Sequence, residues 1–191
     1  MSAGRPQAIV IGSSAGALEA LSSILPALPA GFTLPVIGVV HLPSDRRSIL
    51  SELLQRKCLV QVREAEDKEP IEVGTVYLAP PDYHLLVETD KSLSLSSDEP
   101  VLFSRPSIDV LFESAADAYG CGLTGIVLTG ANQDGAKGLR AVVAAGGAAI
   151  VQNPRGAFAA AMPEAAIEMC PSAQILSLDA IAHYLQEIGR T

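Results

Sequence analysis

The sequence predicts an α/β protein with a three-layer α/β/α, doubly wound architecture, built on a mostly parallel sheet with a β-hairpin insertion. Three observations predict it. Apolar runs of strand length alternate with amphipathic, alanine-rich segments, the pattern of βαβ crossovers. The opening stretch "QAIVIGSSAGALEALSSIL", residues 7 to 25, runs from a strand through a glycine-bearing turn into a helix. At the centre, "GTVYLAPPDYHLLVE" reads as two short strands joined by Pro80, Pro81 and Asp82, which is hairpin punctuation and predicts a mixed sheet. A chain of 191 residues fits one domain spanning 1–191 and is long enough to bury roughly 70% of its unfolded surface.

The first element is the apolar run at 7–12, followed by a helical pattern over 15–26. Further strands are expected at 35–40, 59–63, 75–79, 84–88, 123–129 and 147–152, each a short run rich in Val, Ile or Leu bounded by turn residues. Helices are expected over 45–56, 106–119, 134–145, 163–169 and 179–189, with Asp45, Ser107 and Asp179 as N-caps. The polar "TDKSLSLSSDEP" shows strand-like alternation at Leu93 and Leu95 and then reads as a surface loop.

Composition excludes several classes. The chain is 49% apolar yet contains no run of 18 uncharged apolar residues, so no membrane insertion is expected. "MSAGRPQ" passes straight into a strand without a leader pattern, and a cytoplasmic location is expected. Cys58, Cys121 and Cys170 are odd in number and lack C-x-x-C spacing, which predicts free thiols and no metal site. A net charge of −8 with no Trp argues against a nucleic-acid partner.

The turn after the first strand carries the functional question. A dinucleotide site needs G-x-G-x-x-G and an acidic residue ending the next strand, but Ser14 and Ala17 replace the later glycines and the next strand, "LPVIGVVH", ends in His41. No cofactor is expected. "GSSAG" instead satisfies G-x-S-x-G with Ser14 at its centre, although either Ser13 or Ser14 could equally serve as a helix N-cap. Residues that end separate strands of a parallel sheet meet along one edge. Ser14 follows the first strand, His41 ends the second, and Asp134 follows "LTGIVLTG", so a nucleophile, an imidazole and a carboxylate share that edge. The bland alternatives are a buried, backbone-satisfied His41 and an Asp134 that caps the helix opening at Gly135. Arg46, Arg47, Arg105, Lys137 and Arg155 fall near the same edge and would give it a positive mouth. His84 follows "PPDY" and could line the crevice or serve the structure, while His183 reads as surface.

With these residues in view, the chain resembles the catalytic domain of the chemotaxis protein-glutamate methylesterase (CheB) family. The matching segments are "IGSSAGALEAL", "VVHLPSD", "VREAEDKEPIEVGTVYLAPPDYHLLV", "RPSIDVLFESAA", "GIVLTGANQDGAKGL" and "MPEAA". The resemblance implies Ser14 as nucleophile, His41 as base and Asp134 as third member, acting on glutamyl γ-methyl esters and, by an allied acyl transfer, on glutamine amides. It implies a methylated chemoreceptor or related acidic signalling protein as partner. The family's threonine and two glycines after the serine are Ala15, Gly16 and Ala17 here, its Met-Gly is Ala131 and Asn132, and its late glycine is Ala161. Ala131 thereby becomes a substrate-site candidate. The N–H of Ala15, at a positively polarised helix start, is the candidate oxyanion donor. Only six residues precede the first strand, so no receiver domain is expected within the chain. Two readings from other classes stand beside this one: a non-catalytic binding module of the same fold, and a small-molecule carboxylesterase.

Overall fold

The computed structural model describes residues 5–41 and 49–189. Its strands are β1 (Ala8–Ser13), β2 (Val36–Val40), β3 (Gln61–Glu64), β4 (Thr75–Leu78), β5 (His84–Val87), β6 (Leu93–Ser96), β7 (Leu123–Val127), β8 (Ala148–Gln152) and β9 (Gln174–Leu176). Its helices are α1 (Ala17–Ile24), α2 (Leu50–Gln55), α3 (Ile108–Tyr119), α4 (Ala136–Ala144), α5 (Ala161–Met169) and α6 (Leu178–Ile188). Seven strands form one sheet in the order β3-β4-β2-β1-β7-β8-β9, and every pairing in it is parallel.

Period-two alternation along the strands builds the two cores. In β1, Ile9 and Ile11 face a cluster containing Leu21 and Ile24 of α1, Leu54 of α2, and Ile181 and Leu185 of α6. Ala8 and Val10 face the other cluster, with Leu111 and Phe112 of α3, Leu139 and Val142 of α4, and Met162 and Ala166 of α5. Both faces of a parallel sheet are thus covered, which is why its strands read as continuous apolar runs. Each fully buried Leu, Ile or Phe contributes about 1.5–3 kcal/mol, so these two clusters dominate the folding energy.

The strand order reverses between β1 and β7: the chain leaves β1 toward β2 on one side and returns to β7 on the other. In open α/β sheets the crevice outside the carboxyl ends at such a point is where ligands bind. The residues after β1, β2 and β7, three adjacent strands, all open onto it.

Three expectations need correction. The strands around Pro80 and Pro81 do not pair with each other: β4 lies between β3 and β2 in the parallel sheet, whereas β5 pairs antiparallel with β6 as a separate ribbon. The last sheet bond on this side is from Ala79 N–H to the Gly38 carbonyl, after which two prolines without N–H groups carry the chain off the sheet. The hairpin is therefore formed by His84–Val87 with Leu93–Ser96, and the main sheet is not mixed. Second, a short edge strand, β9, was not expected at Gln174–Leu176, where "QIL" is too short for a periodicity to show. Third, Asp179 does not cap α6: Ser177 does, its side chain accepting from Ala180 N–H at 3.2 Å. Ser107 caps α3 as expected. Asp45 lies outside the described residues, as does the start of the helix expected from residue 45.

Candidate active site

The turn after β1 is shaped by glycine and held by a threonine. Gly16, not Ser13 or Ser14, occupies the N-cap of α1, at φ 84, and a Cβ there would meet Phe158 at 2.6 Å and Thr129 at 3.1 Å. No side chain caps this helix. Ser13 is fully buried and donates its hydroxyl to the Thr129 carbonyl at 2.9 Å, which also accepts from Ser14 N–H at 2.9 Å. The Thr129 hydroxyl in turn donates to the Ala15 carbonyl at 2.8 Å and accepts from Ala159 N–H at 2.9 Å, while its own N–H donates to Gln152 Oε1. One threonine at the end of β7 thereby fixes the backbone on either side of Ser14. The serine hydroxyl itself has no hydrogen-bond partner among the described residues, and neither does the N–H of Ala15 or Gly16. The sequence contained a clue to Thr129 in the Thr-Gly pair that ends a strand run, but strand periodicity alone does not reveal a hub.

His41 leaves β2 with its N–H donating to the Ser13 carbonyl, which places the ring beside the β1 turn. Its Nε2 lies 2.8 Å from Oδ2 of Asp134, with side-chain exposures of 13% and 0%. The other ring nitrogen, Nδ1, is 3.4 Å from Nδ2 of Asn132. Asn132 Oδ1 accepts from Asp134 N–H at 3.1 Å, which turns the amide nitrogen toward the imidazole. An amide donor at Nδ1 and a carboxylate at Nε2 together select the tautomer with the proton on Nε2, leaving the Nδ1 lone pair on the opposite edge of the ring.

Asp134 does not cap α4; Gly135 is the N-cap there, at φ 100. The carboxylate instead serves the start of α3, accepting from Ser107 Oγ at 3.0 Å, Ile108 N–H at 2.7 Å and Asp109 N–H at 2.9 Å. Burial alone would push this carboxyl up, but the bonds from His41 and from the Asp109 and Ile108 N–H groups outweigh it and hold it below the usual carboxylate range. An ionised Asp134 is therefore built into the fold.

The remaining candidates divide. Arg105 lines a cleft of about 290 Å³ with His41, Asp82, Phe103 and Ser104, its Nη1 donating to the Ser97 and Asp98 carbonyls at 2.9 and 3.1 Å and its Nε buried without a partner among the described residues. Ala131 is exposed in the turn between β7 and α4, next to Asn132. His84 is structural: it is 2% exposed, its Nδ1 accepts from Ser107 N–H at 3.1 Å and its Nε2 bonds the Glu99 carbonyl at 3.0 Å, so it braces the start of α3. Lys137 lines a different hollow, with Asp109 and Glu168, and Arg155 lies in an exposed turn after β8. Arg46 and Arg47 lie outside the described residues. His183 pairs with Glu187 on the exposed face of α6. Cys58, Cys121 and Cys170 are free. Asn132 and Asp109 were missed as site residues. The sequence sign of Asp109 is an acidic residue in the first turn after the Ser107 cap, where a carboxylate is favoured by the helix dipole whatever its function.

The chain is similar in sequence and fold to known proteins. A stretch of 176 residues is 49% identical to a protein of Leptospira interrogans, covering 92% of this chain and 91% of that one. A Rhodospirillum rubrum protein named protein-glutamate methylesterase/protein-glutamine glutaminase is 37% identical over 186 residues; the match covers 95% of this chain and 48% of that relative, so the chain spans about half its length. The crystal structure of the Thermotoga maritima CheB methylesterase catalytic domain superimposes with a TM-score of 0.91 at 31% identity, covering 96% of this chain and 98% of that one. Residues 9–185 match the family model described as CheB methylesterase, and the chain belongs to that family.

Proposed function

We propose that this chain hydrolyses glutamyl γ-methyl esters on a chemoreceptor-like protein, with Ser14 as nucleophile, His41 as base and Asp134 as the residue that orients and charges the imidazole. The observation that carries the reading is the 2.8 Å bond between His41 Nε2 and a fully buried, ionised Asp134 beside the turn that bears Ser14. Because Asp134 holds the Nε2 proton, Nδ1 is the base nitrogen. Ser14 Oγ attacks the ester carbonyl as its proton passes to Nδ1, and the imidazolium that forms is stabilised by Asp134. The unpartnered N–H groups of Ala15 and Gly16, at the start of α1, are suited to the oxyanion of the tetrahedral intermediate. Collapse returns the proton from Nδ1 to the departing methoxide, releasing methanol. Water then repeats the sequence on the acyl-enzyme and restores the glutamate. A glutamine amide would follow the same path with ammonia as the leaving group, the second activity in the name of the Rhodospirillum relative.

Arg105 is the cleft residue suited to an acidic substrate surface, since it is a cation lining the same cleft as His41. The experiment is an assay of methanol release from a methylated chemoreceptor cytoplasmic segment. Release that requires Ser14 supports the reading; a protein that binds the methylated segment without releasing methanol is the non-catalytic module instead. No helix among the described residues is long and apolar enough to cross a membrane.

A further inference from the structure

Asp109 is a carboxylate only 4% exposed, in the first turn of α3, and it takes no part in the proton transfers above. Its Oδ1 accepts from Gly135 N–H at 2.9 Å and Gly138 N–H at 2.7 Å, at the start of α4. Asp134, immediately before α4, accepts from the Ile108 and Asp109 N–H groups at the start of α3. Each carboxylate thus occupies the N-terminus of the helix that carries or follows the other. The first N–H groups of a helix have no partner within it, and its positive end favours an anion, so both exchanges stabilise charge. The exchange is also a closed loop: Asp134 is held by α3, α3 holds Asp109, and Asp109 holds the turn from which Asp134 projects.

Within the turn itself, Asp134 N–H donates to Asn132 Oδ1 at 3.1 Å and Ala136 N–H to the Gln133 carbonyl at 3.2 Å. Gly135 sits at φ 100, and a Cβ there would meet Ile108 Cγ2 at 2.8 Å; a Cβ at Gly138 would meet Phe112 Cβ at 2.6 Å. A Cβ at Gly138 would also lie 3.0 Å from Asp109 Cα, so the two helix starts are closely packed where Asp109 binds. Two buried carboxylates this close also repel: burial pushes the Asp109 carboxyl up, the Gly138 N–H opposes it, and the Asp134 charge pushes it up further.

We propose that Asp109 is a positioning residue of this site: by binding Gly135 and Gly138 N–H it fixes Asp134, and through Asp134 the orientation of the His41 ring. This rests on the reading of Ser14, His41 and Asp134 as one catalytic unit, but its test does not depend on that reading alone. The Nε2 proton of His41, bonded to Asp134, gives a downfield proton NMR resonance whose presence reports the pair whether or not the protein turns over an ester.

The experiment compares Asp109→Ala, Asp109→Asn and Asp109→Ser with the parent, recording that resonance together with kcat and KM for a methylated receptor segment. Asp109→Ala removes the acceptor; it is expected to broaden or abolish the resonance and to lower kcat by about tenfold or more with KM unchanged, as displacement of a reacting group does. Asp109→Asn keeps an oxygen for the two N–H groups and is expected to restore the resonance and to bring kcat within about threefold of the parent. Asp109→Ser, whose hydroxyl is too short to serve both N–H groups, decides the matter where the alanine variant does not fold, and is expected to lose kcat several-fold by the same displacement. A folded Asp109→Ala or Asp109→Ser variant with the resonance intact and parental kcat overturns the proposal, as does an Asp109→Asn variant as impaired as the alanine. A parent that shows the resonance but no ester hydrolysis sinks the catalytic reading, and the resonance in the variants then still judges Asp109.

Discussion

Asn132 Nδ2 lies 3.4 Å from His41 Nδ1, on the edge of the ring opposite Asp134. The amide therefore occupies the nitrogen that must take the proton of Ser14, at a position where the resemblance to the family implies glycine. The contact is long, and a net hydrogen bond contributes only about 0.5–1.5 kcal/mol. Asn132→Gly frees that nitrogen and also deletes the bond from Asp134 N–H to Asn132 Oδ1. Because the Asp134 carboxylate keeps its bonds to His41, Ser107, Ile108 and Asp109, kcat is expected to rise by about two- to fivefold, the modest gain that release of one weak contact allows. Steady-state kinetics on a small ester measures it. A large fall in kcat would instead make Asn132 a donor to the transition state.

Thr129 connects the end of β7 to both flanks of the serine turn, and Thr129→Val keeps its shape while deleting the hydroxyl. The Ala15 carbonyl and the Ala159 N–H would each lose a partner in a half-buried setting, so stability is expected to fall by about 1–3 kcal/mol. Urea unfolding measures that. Activity is expected to fall more than stability explains, because the backbone beside Ser14 loses its anchor. Parental activity in a destabilised variant would show that the turn holds its shape without Thr129.

Phe103 is 102% exposed on the wall of the cleft it shares with His41, in a four-residue turn closed by Val101 and Ser104, and both Leu102 and Phe103 have left-handed backbones at φ 49 and 63. Such positions cost about 1 kcal/mol or more each in residues other than glycine, and the exposed ring gains nothing in return. Phe103→Ala is expected to leave thermal stability and small-ester hydrolysis unchanged and to raise KM for a protein substrate severalfold, since losing an apolar contact is worth about 1–3 kcal/mol. Equal effects on both substrates would place the ring outside the protein-binding surface.

The depressed titration of Asp134 gives stability a signed pH dependence. A carboxyl held below its unfolded value stabilises the fold above about pH 4, and that contribution is lost as pH falls through the folded value. The melting-temperature gap between the parent and Asp134→Asn is thus expected to be widest at neutral pH and to narrow under acid. Asp109, whose carboxyl the Asp134 charge helps push up, opposes this trend more in the parent than in Asp134→Asn and so trims the gap at neutral pH. A gap that is constant with pH would mean that Asp134 is not ionised in the fold.

Much of this site was legible because its residues end strands. Ser14, His41 and Asp134 follow β1, β2 and β7, and the apolar period of those strands is strong enough to locate their carboxyl ends. The hairpin was harder: Pro80 and Pro81 mark a turn, but whether the chain turns back onto β4 or leaves the sheet depends on β3 already flanking β4, a long-range pairing that local sequence does not express. The bracing of Asp134 by α3 and the hub at Thr129 were illegible for the same reason. Asp109 is 25 positions from Asp134 and Thr129 is 114 from Ala15. An acidic residue in a first helical turn and a threonine after a strand look like ordinary surface chemistry until the fold brings them to one edge.

Ser14, and not its fully buried neighbour Ser13, is expected to attack the ester. Treatment with a serine-directed phosphonate followed by mapping of the adduct tests it most directly, with Ser14→Ala as the control. A single adduct on Ser14 in the parent, no adduct in the variant, and a fall in methanol release on the order of 10⁴-fold or more are expected. An adduct on Ser13, or Ser14→Ala with near-parental methanol release, would contradict it.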